Sequence, residues 1–149
     1  MSDELRDLYQ SVILDHGKRP RNFGALPDAN RIADGHNPLC GDKLRVYLKV
    51  EDDTVRDVHF DGSGCAISTA SASLMTQVVK GMKVADALAL FRRFHAFLTA
   101  DRATEPGDLG KLSVFGGVRE FPIRVKCATL AWHTLRNALE GQSAVAQTE

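Results

Sequence analysis

The sequence predicts an α+β fold in which a small three-stranded antiparallel sheet packs against about five helices. Two observations predict it. Apolar residues recur first at helical spacing, then alternate with polar residues over residues 44–61, and then return to helical spacing. The 149 residues show no internal repeat and no linker, so we expect a single domain over residues 1–141. Residues 142–149 are small and polar, and we expect them to form a flexible tail.

The first half of the chain supplies the sheet. Apolar residues at helical spacing predict a first helix over residues 3–16. Residues 30–37 are expected to form a short strand that ends before a proline. Residues 44–50 and 54–61 then alternate between apolar and polar side chains, which predicts an antiparallel hairpin with one buried face.

The second half of the chain supplies the remaining helices. An apolar stripe over residues 67–78 predicts a helix that Gly81 terminates, and residues 84–98 predict another. Residues 99–121 are rich in glycine and charge, so we predict mainly loop there. Pro122 is expected to open the last helix, whose apolar residues share one face.

The composition argues against several classes of protein. Nineteen basic residues balance nineteen acidic ones without a long run of either sign, so we expect neither nucleic acid nor membrane as a partner. The charged N-terminus does not resemble a signal peptide, and no apolar run approaches the roughly 20 residues that span a bilayer. We therefore expect a cytoplasmic protein. In that compartment three cysteines serve as thiols, thiolate ligands or nucleophiles more often than as disulfides.

Cys40, Asp42, Cys65 and Cys127 form the candidate metal site. Each cysteine lies at the end of a predicted element, where separate pieces of chain meet. Three thiolates and one carboxylate suit tetrahedral Zn²⁺, and they suit the iron of an iron–sulfur cluster as well. The spacing alone is a weak signal because no C-x₂-C pair is present. His36 is a spare ligand candidate, four residues before the first cysteine.

Cys40 and Asp42 lie in the turn HNPLCGDKLRV. A carboxylate beside a thiol disfavours the thiolate, so the pair makes a poor nucleophile unless a metal binds both groups. We interpret Cys40 in this turn as a metal ligand that can stay bound or be released. The alternative is an incidental loop cysteine with the aspartate capping the turn.

The other two cysteines also have structural alternatives. Cys65 follows the glycines of GSG at a predicted helix N-terminus, whose partial positive charge favours a thiolate. It can instead be a buried cysteine packed against the hairpin. Cys127 lies on the apolar face of its helix, where a core cysteine is the simpler interpretation. Arg124 and Lys126 beside it favour the anionic ligand form.

Four motifs occur in order along the chain: LYQSVILDHGKRPRNFG, HNPLCGDKLRV, FDGSGCAISTASAS and IRVKCATLAW. Together they resemble the U-type iron–sulfur assembly proteins, a family that includes IscU, SufU and the N-terminal part of NifU. The similarity runs over residues 8–139, nearly the whole chain. It implies that Cys40, Asp42, Cys65 and Cys127 bind the metal. It also implies that the histidine of the D-H-x-x-x-P-R-N stretch docks the first helix.

Two features favour the SufU branch of this family. Lys126 precedes the third cysteine, where IscU has a histidine within a chaperone-recognition motif. Residues 92–117 contain an insertion that IscU lacks and that is typical of SufU. The role of the insertion, partner recognition or a lid over the metal, stays open.

The resemblance implies a zinc-dependent sulfurtransferase that acts as a sulfur carrier. Cys40 would be its catalytic residue, accepting persulfide sulfur from a SufS-type cysteine desulfurase after a histidine of that partner displaces it from the zinc. A cluster scaffold of the Suf system is the downstream partner that the resemblance implies. One alternative is an IscU-like scaffold on which a transient iron–sulfur cluster is built. Another is a zinc-stabilised interaction module without sulfur chemistry.

Overall fold

The computed structural model describes residues 3–99, 109–141 and 146–147 of the chain. Within these ranges it contains four α-helices, one 3₁₀ helix and four strands. In chain order the elements are α1 (Asp3–Lys18), β1 (Arg31–Asn37), β2 (Asp42–Glu51), β3 (Thr54–Ser63), α2 (Ala66–Val79), α3 (Val84–Thr99), the 3₁₀ helix (Gly110–Glu120), α4 (Pro122–Glu140) and β4 (Ala146–Gln147). None of the described helices is both long and apolar enough to cross a bilayer.

The sheet has the strand order β3-β2-β1-β4. Strands β1, β2 and β3 pair antiparallel, which confirms the predicted three-stranded sheet and, with the helices, the α+β class. The two residues of β4 add a short parallel edge beside β1. They belong to the predicted tail over residues 142–149, and the rest of that tail lies outside the described residues.

Alternation along β2 decides which face of the sheet is buried. Leu44, Val46 and Leu48 point inward and are almost fully buried. Helix α4 packs on β1 and β2 and helix α2 packs on β3, so these helices cover the inner face, while Arg45 and Lys43 point outward. The inner face therefore determines which side chains near the strand ends can reach the helices.

The 3₁₀ helix corrects the prediction of mainly loop for residues 99–121. Leu112, Phe115 and Val118 recur every third residue and are buried, a period that matches the three residues per turn of a 3₁₀ helix. The Phe115 ring lies 5.9 Å from that of Phe94 on α3, which in turn lies 5.0 Å from the ring of Trp132 on α4. The described parts of residues 92–117 thus contribute apolar side chains to the hydrophobic core, whereas residues 100–108 lie outside the described residues.

The D-H-x-x-x-P-R-N stretch docks α1 onto α2. His16 is buried, and its Nδ1 lies 2.6 Å from the Ser73 hydroxyl on α2. The Arg21 N–H donates to the same hydroxyl at 2.8 Å, and the Arg21 guanidinium pairs with Asp15 at 2.6 Å. Burial lowers the pKa of His16, so the ring is neutral in the folded protein at neutral pH. The docking role expected for this histidine agrees with these contacts.

Candidate metal centre

A tight turn between β1 and β2 presents Cys40 at the end of the sheet. Gly41 has a φ of +74°, a left-handed conformation that glycine adopts without the steric cost of a Cβ. The Gly41 N–H donates to the Asn37 carbonyl at 2.8 Å, and the Leu39 N–H donates to the Asn37 side-chain oxygen at 3.2 Å. These bonds hold a short turn on which the Cys40 side chain is exposed.

Asp42 begins β2 and points to the inner face, where it is 2% exposed. Its Oδ1 accepts a hydrogen bond from the Cys65 N–H at 2.9 Å, and its Oδ2 lies 3.9 Å from Cys65 Sγ. A Cβ at Gly64 would lie 3.0 Å from Oδ1, so only a glycine leaves the carboxylate its present space. One carboxylate oxygen is therefore anchored by backbone, and the other faces the cysteines.

Cys65 is the N-terminal cap of α2. Its Sγ accepts a hydrogen bond from the Ser68 N–H at 3.4 Å, as the sequence position before the helix suggests. The sulfur thus sits at the positive end of the helix dipole, where negative charge is stabilised. The structure places this thiol as a ligand candidate that the start of α2 holds in position.

Cys127 approaches the site from the first turns of α4 and is 3% exposed. Its Sγ lies 3.3 Å from Cys40 Sγ and 3.9 Å from the Asn37 side-chain nitrogen. Burial raises the pKa of Cys127 strongly, and the thiols of Cys40 and Cys65 and the carboxylate of Asp42 raise it further. Burial and these neighbours therefore disfavour the Cys127 thiolate unless a cation lies beside it.

The donor set fits Zn²⁺. One ligand atom from each of Cys40, Asp42 and Cys127 lies within 4.8 Å of the others. Cys65, the fourth predicted ligand, is not part of this group, and its Sγ lies 3.9 Å from Asp42 Oδ2. Zn–S bonds of about 2.3 Å set neighbouring tetrahedral ligand atoms about 3.8 Å apart, within the range that the cluster spans. These four residues would hold the ion, which supplies positive charge that stabilises thiolates at neutral pH. Three thiols with a carboxylate are also donors that iron accepts.

His36, the spare ligand candidate, does not face the cluster. It lies on the outer face of the sheet, where it lines an open groove with Lys43 and Arg45. Its neighbour Asn37 points inward instead, is fully buried, and directs its amide toward Cys127. Sequence reasoning missed Asn37, although its position opposite Asp42 in the strand register places both on the inner face.

Comparisons with known proteins show the family of this chain. The family described as the NifU-like N terminal domain matches residues 8–128. The chain is 43% identical over 135 residues to the zinc-dependent sulfurtransferase SufU of Bacillus subtilis strain 168. The aligned residues cover 91% of this chain and 91% of that protein. It is also 40% identical to the iron–sulfur cluster assembly scaffold protein IscU of Streptococcus pyogenes serotype M1, over 97% of this chain and 89% of that protein.

A solved structure is similar over nearly the same length. It comes from Fervidobacterium islandicum AW-1 and is described as a candidate iron–sulfur cluster assembly scaffold protein for the SUF system. The two structures superpose with a TM-score of 0.82 at 32% identity, covering 90% of this chain and 98% of the other. The arrangement of sheet and helices therefore matches that of a protein with a related sequence.

Proposed function

The chain belongs to the family of NifU-like N-terminal domains, to which SufU and IscU proteins of iron–sulfur cluster assembly are related, and from that premise we propose that it is a zinc-dependent sulfur acceptor of the SufU type. In this proposal Cys40 takes persulfide sulfur from a SufS-type cysteine desulfurase and passes it toward a cluster scaffold of the Suf system. The free thiols that this requires persist in the reducing cytoplasm predicted from the sequence.

The placement of Cys40 is the observation that supports this function most directly. Its side chain is exposed on a short turn, whereas Asp42 and Cys127 beside it are buried. Cys65 is exposed as well, but its sulfur accepts a hydrogen bond from α2 and its N–H is bound by Asp42. Cys40 is thus the thiol that an incoming partner can reach while the other donors stay anchored.

The transfer step follows from ordinary thiol–persulfide exchange. The Cys40 thiolate attacks the terminal sulfur of the partner's cysteine persulfide, and a new S–S bond forms to Cys40 Sγ. The S–S bond of the partner breaks at the same time, and the partner's cysteine leaves as a thiolate. No external oxidant or reductant is needed. Asp42 keeps its backbone anchor throughout, since its Oδ1 is held by the Cys65 N–H.

An apolar surface beside the thiols supports a protein partner. Leu39, Phe121 and Ile123 are exposed large apolar side chains. Leu39 directly precedes Cys40, and the other two stand at the start of α4, the helix that carries Cys127. Exposed apolar side chains next to polar reactive groups are typical of protein–protein contact sites. We assign this surface to the desulfurase that delivers the sulfur.

A second candidate function is an IscU-like scaffold that builds an iron–sulfur cluster. The three thiols and the carboxylate support it, because the same donors accept iron. Lys126 argues against it, since a lysine replaces the histidine that precedes the third cysteine in IscU. We therefore rank it below sulfur transfer.

The test is the turnover of a SufS-type cysteine desulfurase with and without the zinc-loaded protein. We expect strong acceleration by wild-type protein and none by Cys40→Ser, whereas Asp34→Asn, which removes an exposed carboxylate on the outer face of the sheet, should act as wild type. The persulfide should appear on Cys40 by mass spectrometry.

Two results would contradict the proposal. Cys40→Ser that supports sulfur transfer at the wild-type rate would exclude Cys40 as the acceptor. Wild-type protein that leaves turnover unchanged, but gains cluster absorbance when iron and sulfide are added anaerobically, would favour the scaffold.

A further inference from the structure

A buried serine hydroxyl lies in the wall of the metal centre. Ser68 is in the first turn of α2 and is fully buried. Its Oγ has no hydrogen-bond partner among the residues that the structure describes. A buried hydroxyl without a partner is unfavourable, so its place beside a candidate metal site indicates a partner that becomes available in another state of that site.

The position of the Ser68 hydroxyl points to Asp42. A Cβ at Gly64 would lie 3.2 Å from Ser68 Oγ and 3.0 Å from Asp42 Oδ1, so both oxygens border the small volume that the glycine leaves free. Oδ1 already accepts the Cys65 N–H at 2.9 Å. A carboxylate oxygen has two lone pairs and therefore room for one more donor. The Ser68 hydroxyl is a donor without an acceptor, and it borders the same gap.

We propose that Ser68 is a positioning residue for Asp42, and this inference rests on the proposed zinc-dependent function. With a metal bound, Asp42 Oδ1 would be held between two donors, the Cys65 N–H and the Ser68 hydroxyl. The Ser68 N–H meanwhile donates to Cys65 Sγ at 3.4 Å, so one residue orients two ligands. Donors that orient metal ligands in this way typically change metal affinity 10–100-fold when removed.

Other buried serines of α2 have a different role. The Ser71 hydroxyl donates to the Ala128 carbonyl at 2.5 Å and accepts the Trp132 indole N–H at 3.2 Å, which ties α2 to α4. The Ser73 hydroxyl meets His16 of α1. These serines are partnered within the folded protein, whereas Ser68 faces the site. Ser71 is therefore a matched control of the same residue type, helix and burial.

The experiment compares Ser68→Ala with Ser71→Ala in the full chain. The zinc dissociation constant is measured by competition with a chromophoric chelator, and the melting temperature of each protein is measured after treatment with EDTA. We expect Ser68→Ala to bind zinc 10–100-fold more weakly. Its metal-free melting temperature should stay the same or rise, because an unpartnered hydroxyl is removed. Ser71→Ala should show the reverse pattern, a lower melting temperature with unchanged zinc affinity.

Each other result overturns a distinct claim. Ser68→Ala that binds zinc within threefold of wild type would overturn the positioning role and leave the proposed function intact. A lower metal-free melting temperature with unchanged zinc affinity would make Ser68 merely structural. Wild-type protein that binds no zinc would overturn both the positioning role and the zinc-dependent function.

Discussion

Gly64→Ala tests whether the space around Asp42 shapes the metal centre. The added Cβ would lie 3.0 Å from Asp42 Oδ1, 3.2 Å from Asp42 Cγ and 3.2 Å from Ser68 Oγ. Ordinary contacts begin at 3.4 Å, so the carboxylate must move by a few tenths of an ångström. Gly64 does not have a positive φ, so alanine adds no backbone strain, and the effect passes through the two side chains.

The magnitude has two parts. Forcing one methyl group into a packed site typically costs about 1–3 kcal/mol, which we expect as a lower free energy of unfolding of the metal-free protein. The displaced carboxylate should also weaken zinc binding by about tenfold or more. A tenfold loss of affinity makes the zinc-loaded protein lose about 1.4 kcal/mol more than the metal-free protein does.

Urea unfolding with and without zinc separates the two parts. Gly117→Ala is the matched control, because no atom lies within 4 Å of its added Cβ and its φ is not positive. That variant should match wild type or gain about 0.4–1 kcal/mol from reduced freedom of the unfolded chain. If Gly64→Ala has wild-type stability in both states, the space beside Asp42 does not constrain the site and the reasoning fails.

Two further predictions concern metal removal and pH. In metal-free protein, hydrogen peroxide should join Cys40 and Cys127, whose sulfurs lie 3.3 Å apart, in a disulfide. Mass spectrometry should detect this disulfide as the loss of two hydrogen atoms, and Cys127→Ser should prevent it. Intermolecular disulfide dimers instead of the internal disulfide would contradict the geometry. Burial lowers the pKa of His133 to about 4, below the value of about 6.5 in an unfolded chain. The unfolded state therefore binds more protons between pH 6.5 and pH 4, and the free energy of unfolding should fall as the pH falls through that window. In urea titrations, His133→Gln should reduce this decrease in the free energy of unfolding by about 1–2 kcal/mol, a figure that allows for the partial exposure of the ring. A pH profile of stability that is unchanged in the variant would exclude His133 as the cause of the decrease.

The sheet was predictable because its signal is local. Alternation along β2 identifies the inner face, and the same parity places Asp42 inward with Leu44 and Val46. Pro122 likewise marks the start of α4, as predicted. These features depend on neighbouring residues of one segment, which a single sequence displays directly.

Other features depend on contacts between distant segments. The 3₁₀ helix was missed because its apolar residues recur every third position, a period shared by irregular chain. Asn37 and Ser68 were missed because nothing local distinguishes a polar side chain in a buried site from one at the surface. The meeting of Cys40 with Cys127 depends on how α4 packs on the sheet, so the chemistry of the donors and the family resemblance suggested it before any geometry did.

The candidate ligands come from three widely separated places in the chain: the turn before β2, the start of α2 and the start of α4. During synthesis the ribosome delivers Cys40 and Asp42 early, but Cys127 arrives only with the last helix. A partial chain therefore cannot assemble the full donor set, and a chain whose α4 has not docked cannot either. Under the proposed function, metal loading would therefore act as a checkpoint, because only fully synthesised and correctly folded molecules would present all the ligands for sulfur chemistry.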